Sequence, residues 1–167
     1  MIVALDVHYK ENTAKAVGAL IQNWGDAAAA QHVIRYIDSV EEYEPGAFYK
    51  RELPCIMEVL NQIDLSGISY IIVDGFVVLD DLGKPGLGAY VYESLTPKVP
   101  VIGVAKSNFH QNLKNVIPVL RGESNNPLYV TAIGIDLQQA ADLVKSMHGE
   151  FRLPTVLKEM DRITKEA

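Results

Sequence analysis

Tyr70-Ile71-Ile72-Val73 runs straight into Asp74-Gly75. A continuous apolar run without polar alternation suits a strand covered on both faces, as in a parallel sheet. A carboxylate at the end of such a strand is costly to bury unless something positive meets it. Asp74 therefore marks the turn after the strand, as Asp-Gly pairs commonly do, or it belongs to a charged site. The rest of the chain decides between these by whether it brings Asp74 company.

Upstream, residues 2–9, 13–22 and roughly 32–38 read as three strands joined by short polar links, an antiparallel meander. Residues 41–49 are acidic, aromatic and broken by Pro45-Gly46, which makes them a loop. From 50 to 62, Leu53, Ile56, Met57 and Leu60 recur at helical spacing. The strand that ends near Phe76 follows, then a helix over 86–95 and a buried strand over 99–106. Strand–helix–strand–helix–strand order implies parallel strands with crossovers. Segments 116–121 and 128–133 can pair as a hairpin, Asp136 with Gln139 caps a helix over 137–147 that Gly149 can end, and Pro154 opens a last helix to about 165. The expected class is α/β: a mixed sheet with a three-strand antiparallel meander followed by parallel strands, helices on both faces, in one domain spanning 1–167.

At 167 residues the chain suffices for one well-packed domain, and 49% hydrophobic with 22% charged residues is ordinary for a globular protein. Cys55 is the single cysteine, so no internal disulfide forms and a reducing compartment, the cytoplasm, is expected. No apolar run is long enough to span a bilayer, and no membrane partner is expected. A net charge of −6 argues mildly against nucleic acid, an objection that weakens if several acids hold metal.

In a sheet of this order the first strand lies beside the strand carrying Asp74, which makes Asp6 its neighbour. Glu52 opens the intervening helix and Asp161 sits on the last one. Two carboxylates in contact repel unless a hard cation neutralises them, and four acids from four elements are what a one- or two-magnesium phosphoryl-transfer site needs. Each acid taken singly also reads as a solvated surface carboxylate, Asp161 above all. His8 shares the face of Asp6 and reads as a packing or solvent residue, Cys55 as a small core residue, and Trp24 as an anchor for a loop or a partner. No glycine-rich phosphate loop is present.

The segments Leu5-Asp6-Val7-His8-Tyr9, Tyr43-Glu44-Pro45-Gly46 running to Arg51-Glu52-Leu53-Pro54, Val73-Asp74-Gly75, Ile102 to Ser107, Pro127 to Thr131 and Arg152-Leu153-Pro154 resemble, in order, the endonuclease V family. The resemblance implies a ribonuclease H-like fold and Mg²⁺-dependent cleavage, with Mn²⁺ as an alternative ion, just 3′ to deaminated bases, chiefly inosine, in DNA or RNA. It implies metal ligation by Asp6, Glu52, Asp74 and Asp161, and charge balance at the reacting phosphate by Lys106. It also implies an aromatic wedge at Tyr43, with Pro45, Gly46, Gly75 and Ser107 at substrate-contacting positions, Gly75 letting the backbone approach a flipped base.

The chain also departs from the family. It begins at the first strand, without the segment that members carry before it. Glu42 and Glu44 flank Tyr43, Asp80 stands where members have histidine, and Lys158 where they have arginine, which forgoes bidentate phosphate contact. Metal positions are kept while positions reading the base or the backbone have changed. A rival expectation follows: a catalytically weak or inactive domain that binds nucleic acid or protein.

Overall fold

Nine residues, Ile2–Lys10, form β1, an interior strand of the sheet that joins its antiparallel and parallel halves. Its apolar first half is buried on both faces, and its second half alternates partly buried Val7 and Tyr9 with exposed His8 and Lys10. β2 (Thr13–Ile21) returns antiparallel beside it, and β3 (Gln31–Ile37) closes the meander as an edge strand. α1 (Tyr49–Leu60) then crosses to β4 (Tyr70–Asp74), parallel to β1, and α2 (Leu87–Glu93) crosses to β5 (Val101–Ala105), parallel to β4. β6 (Ile117–Val119) and β7 (Leu128–Ile133) pair as the expected hairpin, and β7 adds antiparallel to β5. α3 (Leu137–Lys145) and α4 (Thr155–Lys165) complete a seven-stranded sheet of order β3-β2-β1-β4-β5-β7-β6. This computed structural model describes residues 1–40, 42, 44–45, 47–108 and 111–166.

Alternation along β1 distributes the helices. Ile2 and Ala4 join the core under α3 and α4, whereas Val3 and Leu5 join the core under α1 and α2. The expected mixed sheet with helices on both faces is therefore present. Trp24 packs edge-on against Tyr70 at 5.5 Å between ring centres, so it anchors its loop to the sheet. Among the described residues, no helix is long and apolar enough to cross a membrane.

Several expected boundaries move by one or more residues, and two of these shifts have a visible cause. β4 stops at Asp74 rather than Phe76, because Gly75 takes φ +136°, a conformation costly to a side chain, and turns the strand out of the sheet. α3 stops at Lys145 rather than Met147, and the Ser146 backbone N–H and hydroxyl close its last turn on the carbonyls of Asp142 and Leu143.

The chain leaving Gly75 passes directly over Gly103 on β5. A Cβ there would lie 2.6 Å from both the Gly75 carbonyl oxygen and Thr131 Oγ1, the same hydroxyl that accepts the Val77 N–H at 2.8 Å. Gly103→Ala is expected to destabilise the fold by about 1–3 kcal/mol, the usual cost of overpacking. Denaturant unfolding measures this, and an unchanged midpoint would show that the crossing has slack.

Candidate metal and nucleic-acid site

Parallel pairing of β1 with β4 runs in register from Ile2 opposite Tyr70 to Leu5 opposite Val73, so the next pair is Asp6 and Asp74. β4 and β5 pair on to Asp74 opposite Val104, and Lys106 follows just beyond the end of β5. α4 carries Asp161 over the same strand ends. Asp6, Asp74, Lys106 and Asp161 thus line one small cleft, with apolar walls that include Ile72, Val104, Leu157 and Met160. Its volume of about 30 Å³ is on the scale of one or two waters.

Asp6 is 7% exposed. One of its oxygens accepts the Val7 N–H at 2.9 Å, and the other lies 3.4 Å from Thr164 Oγ1. Burial, then the charges of Asp74 and Asp161, push its carboxyl up to about 7 against the weaker opposing pull of Val7 and Lys106. Asp74 shifts upward as well, with burial as the leading cause, while Lys106 and a hydrogen bond to Asp6 pull the other way. Asp74 is nevertheless exposed by area. Its exposure is that of a cleft mouth, since protein closes around the carboxyl on its other sides. Lys165 pairs with Asp161 at 3.0 Å, the expected i,i+4 contact on a helix.

Glu52 approaches from the opposite face. It lies in the first turn of α1, is 4% exposed, and its Oε2 has no hydrogen-bond partner among the described residues. Burial, followed by the charges of Asp74 and Asp6, pushes it up to about 8, with Arg51 opposing. The Arg51 guanidinium itself stacks on the Tyr9 ring at 3.7 Å. The four acids therefore share one electrostatic environment. An unpartnered buried oxygen and mutually repelling carboxylates fit a hard divalent cation by donor chemistry. Among the described residues, however, no three His, Cys, Asp or Glu side chains stand as a ready-made metal-holding group.

The substrate-contacting expectations are more dispersed. Gly75 lines a wider pocket of about 510 Å³ beside Asp74, together with Phe48, Phe76, Gln111 and the stacked rings of Tyr49 and Tyr90, whose centres are 3.7 Å apart. Pro45 and Ser107 are exposed, and neither lines this pocket or the acidic cleft. Tyr43 and Gly46 lie outside the described residues. His8 is exposed. Asp80 accepts the Leu82 and Lys84 N–H groups at 3.0 and 3.1 Å and so holds its own turn. Sequence reasoning passed over Thr164 and Lys165, although their spacing of three and four residues from Asp161 was a usable signal. Tyr49 and Tyr90 gave none, because only tertiary packing stacks them.

The family model for endonuclease V matches residues 1–162. The chain belongs to the endonuclease V family. Human ENDOV is 21% identical, over 98% of this chain and 82% of that one, with a TM-score of 0.74. Endonuclease V from Streptomyces avermitilis is 22% identical over 98% and 79%, with a TM-score of 0.72. Endonuclease V from Ciona intestinalis, solved in complex with a 24mer DNA containing an inosine followed by a ribo-adenosine, is 16% identical over 98% and 84%, with a TM-score of 0.78. At such identities the likeness to these structures shows the shared endonuclease V fold. No curated protein matches the chain by sequence.

Proposed function

We propose that this chain, acting as one domain over residues 1–167, is a divalent-cation-dependent endonuclease that cuts a nucleic-acid strand 3′ to deaminated bases, inosine first among them. The observation that carries this reading is the convergence of Asp6, Asp74 and Asp161 beside Lys106 at the ends of the central parallel strands, in a chain of the endonuclease V family. Asp6, Glu52, Asp74 and Asp161 are the residues that would hold Mg²⁺, or Mn²⁺ in its place. When bound, such an ion supplies an activated water and neutralises charge on the scissile phosphate.

The chain's own groups do the rest. Lys106, exposed at the cleft rim, places an ammonium where the phosphate would gain charge. Asp6, held by the Val7 N–H, keeps a fixed direction towards Asp74. Gly75 offers backbone without a side chain at the mouth of the wider pocket, whose aromatic wall has the volume and chemistry to receive a flat base turned out of a strand. The family resemblance assigns the stack-filling role to Tyr43 and contacts with the strand to Pro45, Gly46 and Ser107. The free, buried Cys55 agrees with a reducing compartment, and we assign the activity to the cytoplasm.

Incubation of an inosine-containing strand and a matched plain strand with the chain and Mg²⁺ is expected to nick the first 3′ to the inosine and spare the second. Equal nicking of both would keep the chemistry and remove the specificity; no Mg²⁺-dependent nicking of either would sink the proposal. A second reading, a binding module without catalysis, is favoured by the Lys165–Asp161 pair, which already neutralises one of the acids. Mn²⁺ binding by calorimetry that disappears in Asp6→Ala would count against that second reading.

A further inference from the structure

Lys15 is buried in β2, a strand otherwise made of apolar and small residues apart from its leading Thr13. A buried ammonium is costly unless its donors are satisfied. Among the described residues Lys15 makes no ion pair; instead its Nζ donates to the carbonyl oxygens of Ile163 at 2.6 Å and Glu166 at 3.2 Å. Both carbonyls belong to the C-terminal end of α4, where carbonyls lose their i+4 partners and the helix dipole favours a cation; the Ile163 carbonyl also accepts the Glu166 N–H at 3.3 Å. The Tyr36 ring lies 5.7 Å from the same ammonium.

That end of the helix also carries Thr164, 1% exposed, whose hydroxyl stands 2.7 Å from the Asp161 carbonyl oxygen and 3.4 Å from Asp6 Oδ2. Docking of α4 does not need Lys15, because Val156, Leu157 and Met160 already bury its apolar stripe in the core. What Lys15 adds is localised to the last turn, the one that follows Asp161.

We infer that Lys15 and Thr164 are positioning residues that fix the last turn of α4 so that Asp161 faces Asp6 and Asp74, and thereby set the affinity of the acid cluster for a divalent cation. The inference rests on the proposed reading of these acids as ligands.

Calorimetry of Mn²⁺ binding to the full chain tests it, with circular dichroism to verify folding. Lys15→Met keeps the aliphatic stem and removes the charge; its Mn²⁺ affinity is expected to fall about tenfold, the lower end of what loss of a ligand-orienting partner costs a metal site. Thr164→Val weakens binding in the same direction and Thr164→Ser restores it. If Lys15→Met does not fold, these two variants decide. In an Asp161→Ala background, Lys15→Met is expected to add nothing, since residues acting through one group are non-additive. An unchanged affinity in Lys15→Met, or an equal loss with and without the Asp161 side chain, overturns the inference. If Asp161→Ala weakens binding and neither Lys15→Met nor Thr164→Val does, only the inference falls; if Asp161→Ala itself leaves affinity unchanged, the ligand reading of Asp161 falls with it.

Discussion

Asp74→Asn is expected to lower Mg²⁺-dependent nicking of an inosine-containing strand about a thousandfold, the several kcal/mol of charge stabilisation a metal supplies converted at about 1.4 kcal/mol per tenfold. The substitution keeps the shape of the side chain and removes the charge. Asp74 is the acid placed to join the others: it is in register beside Asp6, and it is the leading charge acting on both Asp6 and Glu52. Removing that charge relieves repulsion, so the variant's melting temperature is expected to stay level or rise. A loss of activity with a raised or unchanged melting temperature assigns the effect to the site. Retention of most of the activity would remove Asp74 from the proposed ligand set, and a fall in melting temperature would mean that its carboxylate has a structural partner.

The sheet was largely legible because its signals are local. The unbroken run at residues 71–73 and the short polar links between the first three strands were enough to predict a meander followed by parallel strands. The adjacency of Asp6 and Asp74 follows from that order and from a register in which Leu5 faces Val73. The addition of β7 to β5 was not legible, since antiparallel pairing across an intervening hairpin depends on which edge is free. For the candidate site, the sequence pointed to acids at strand and helix ends but not to the partners that set their environment. Lys15 looks like a solvated lysine in a strand until pairing places it opposite His8, two residues beyond Asp6, and on the side of the sheet where α4 lies. Glu52 stood among the candidate ligands, but taken singly it read as a solvated carboxylate at the start of a helix. Only packing shows that it is buried with an oxygen that has no partner among the described residues.

That burial leads to the second large effect. Without a divalent cation, the folded chain is expected to lose stability as pH rises from about 5.5 to about 8, the reverse of an acid-denaturing protein. The sign follows from the two innermost acids. Asp6 is raised from 3.8 to about 7 and Glu52 from 4.5 to about 8, each by burial first and by neighbouring carboxylates second. Between their unfolded and folded values, the native state holds protons that the unfolded chain has released, so stability falls with pH through that window. Asp64, Asp81 and Glu159 are shifted downward, and their contributions are lost only below the ordinary carboxylate range, outside the window. A tenfold change in proton affinity between the folded and unfolded chain is worth about 1.4 kcal/mol. Between about pH 5.5 and 8 the two buried acids together therefore lose about 5 kcal/mol, or roughly 10–20 °C in melting temperature for a chain of this size. A bound cation favours the ionised carboxylates, so Mn²⁺ is expected to raise the melting temperature most at the alkaline end and to flatten the slope. Asp6→Asn and Glu52→Gln should each flatten it in chelator alone. Thermal unfolding followed across this pH range, with chelator and with Mn²⁺, measures all of this; a melting temperature in chelator that climbs towards pH 8 would mean that water or an unrecognised cation already reaches these carboxylates.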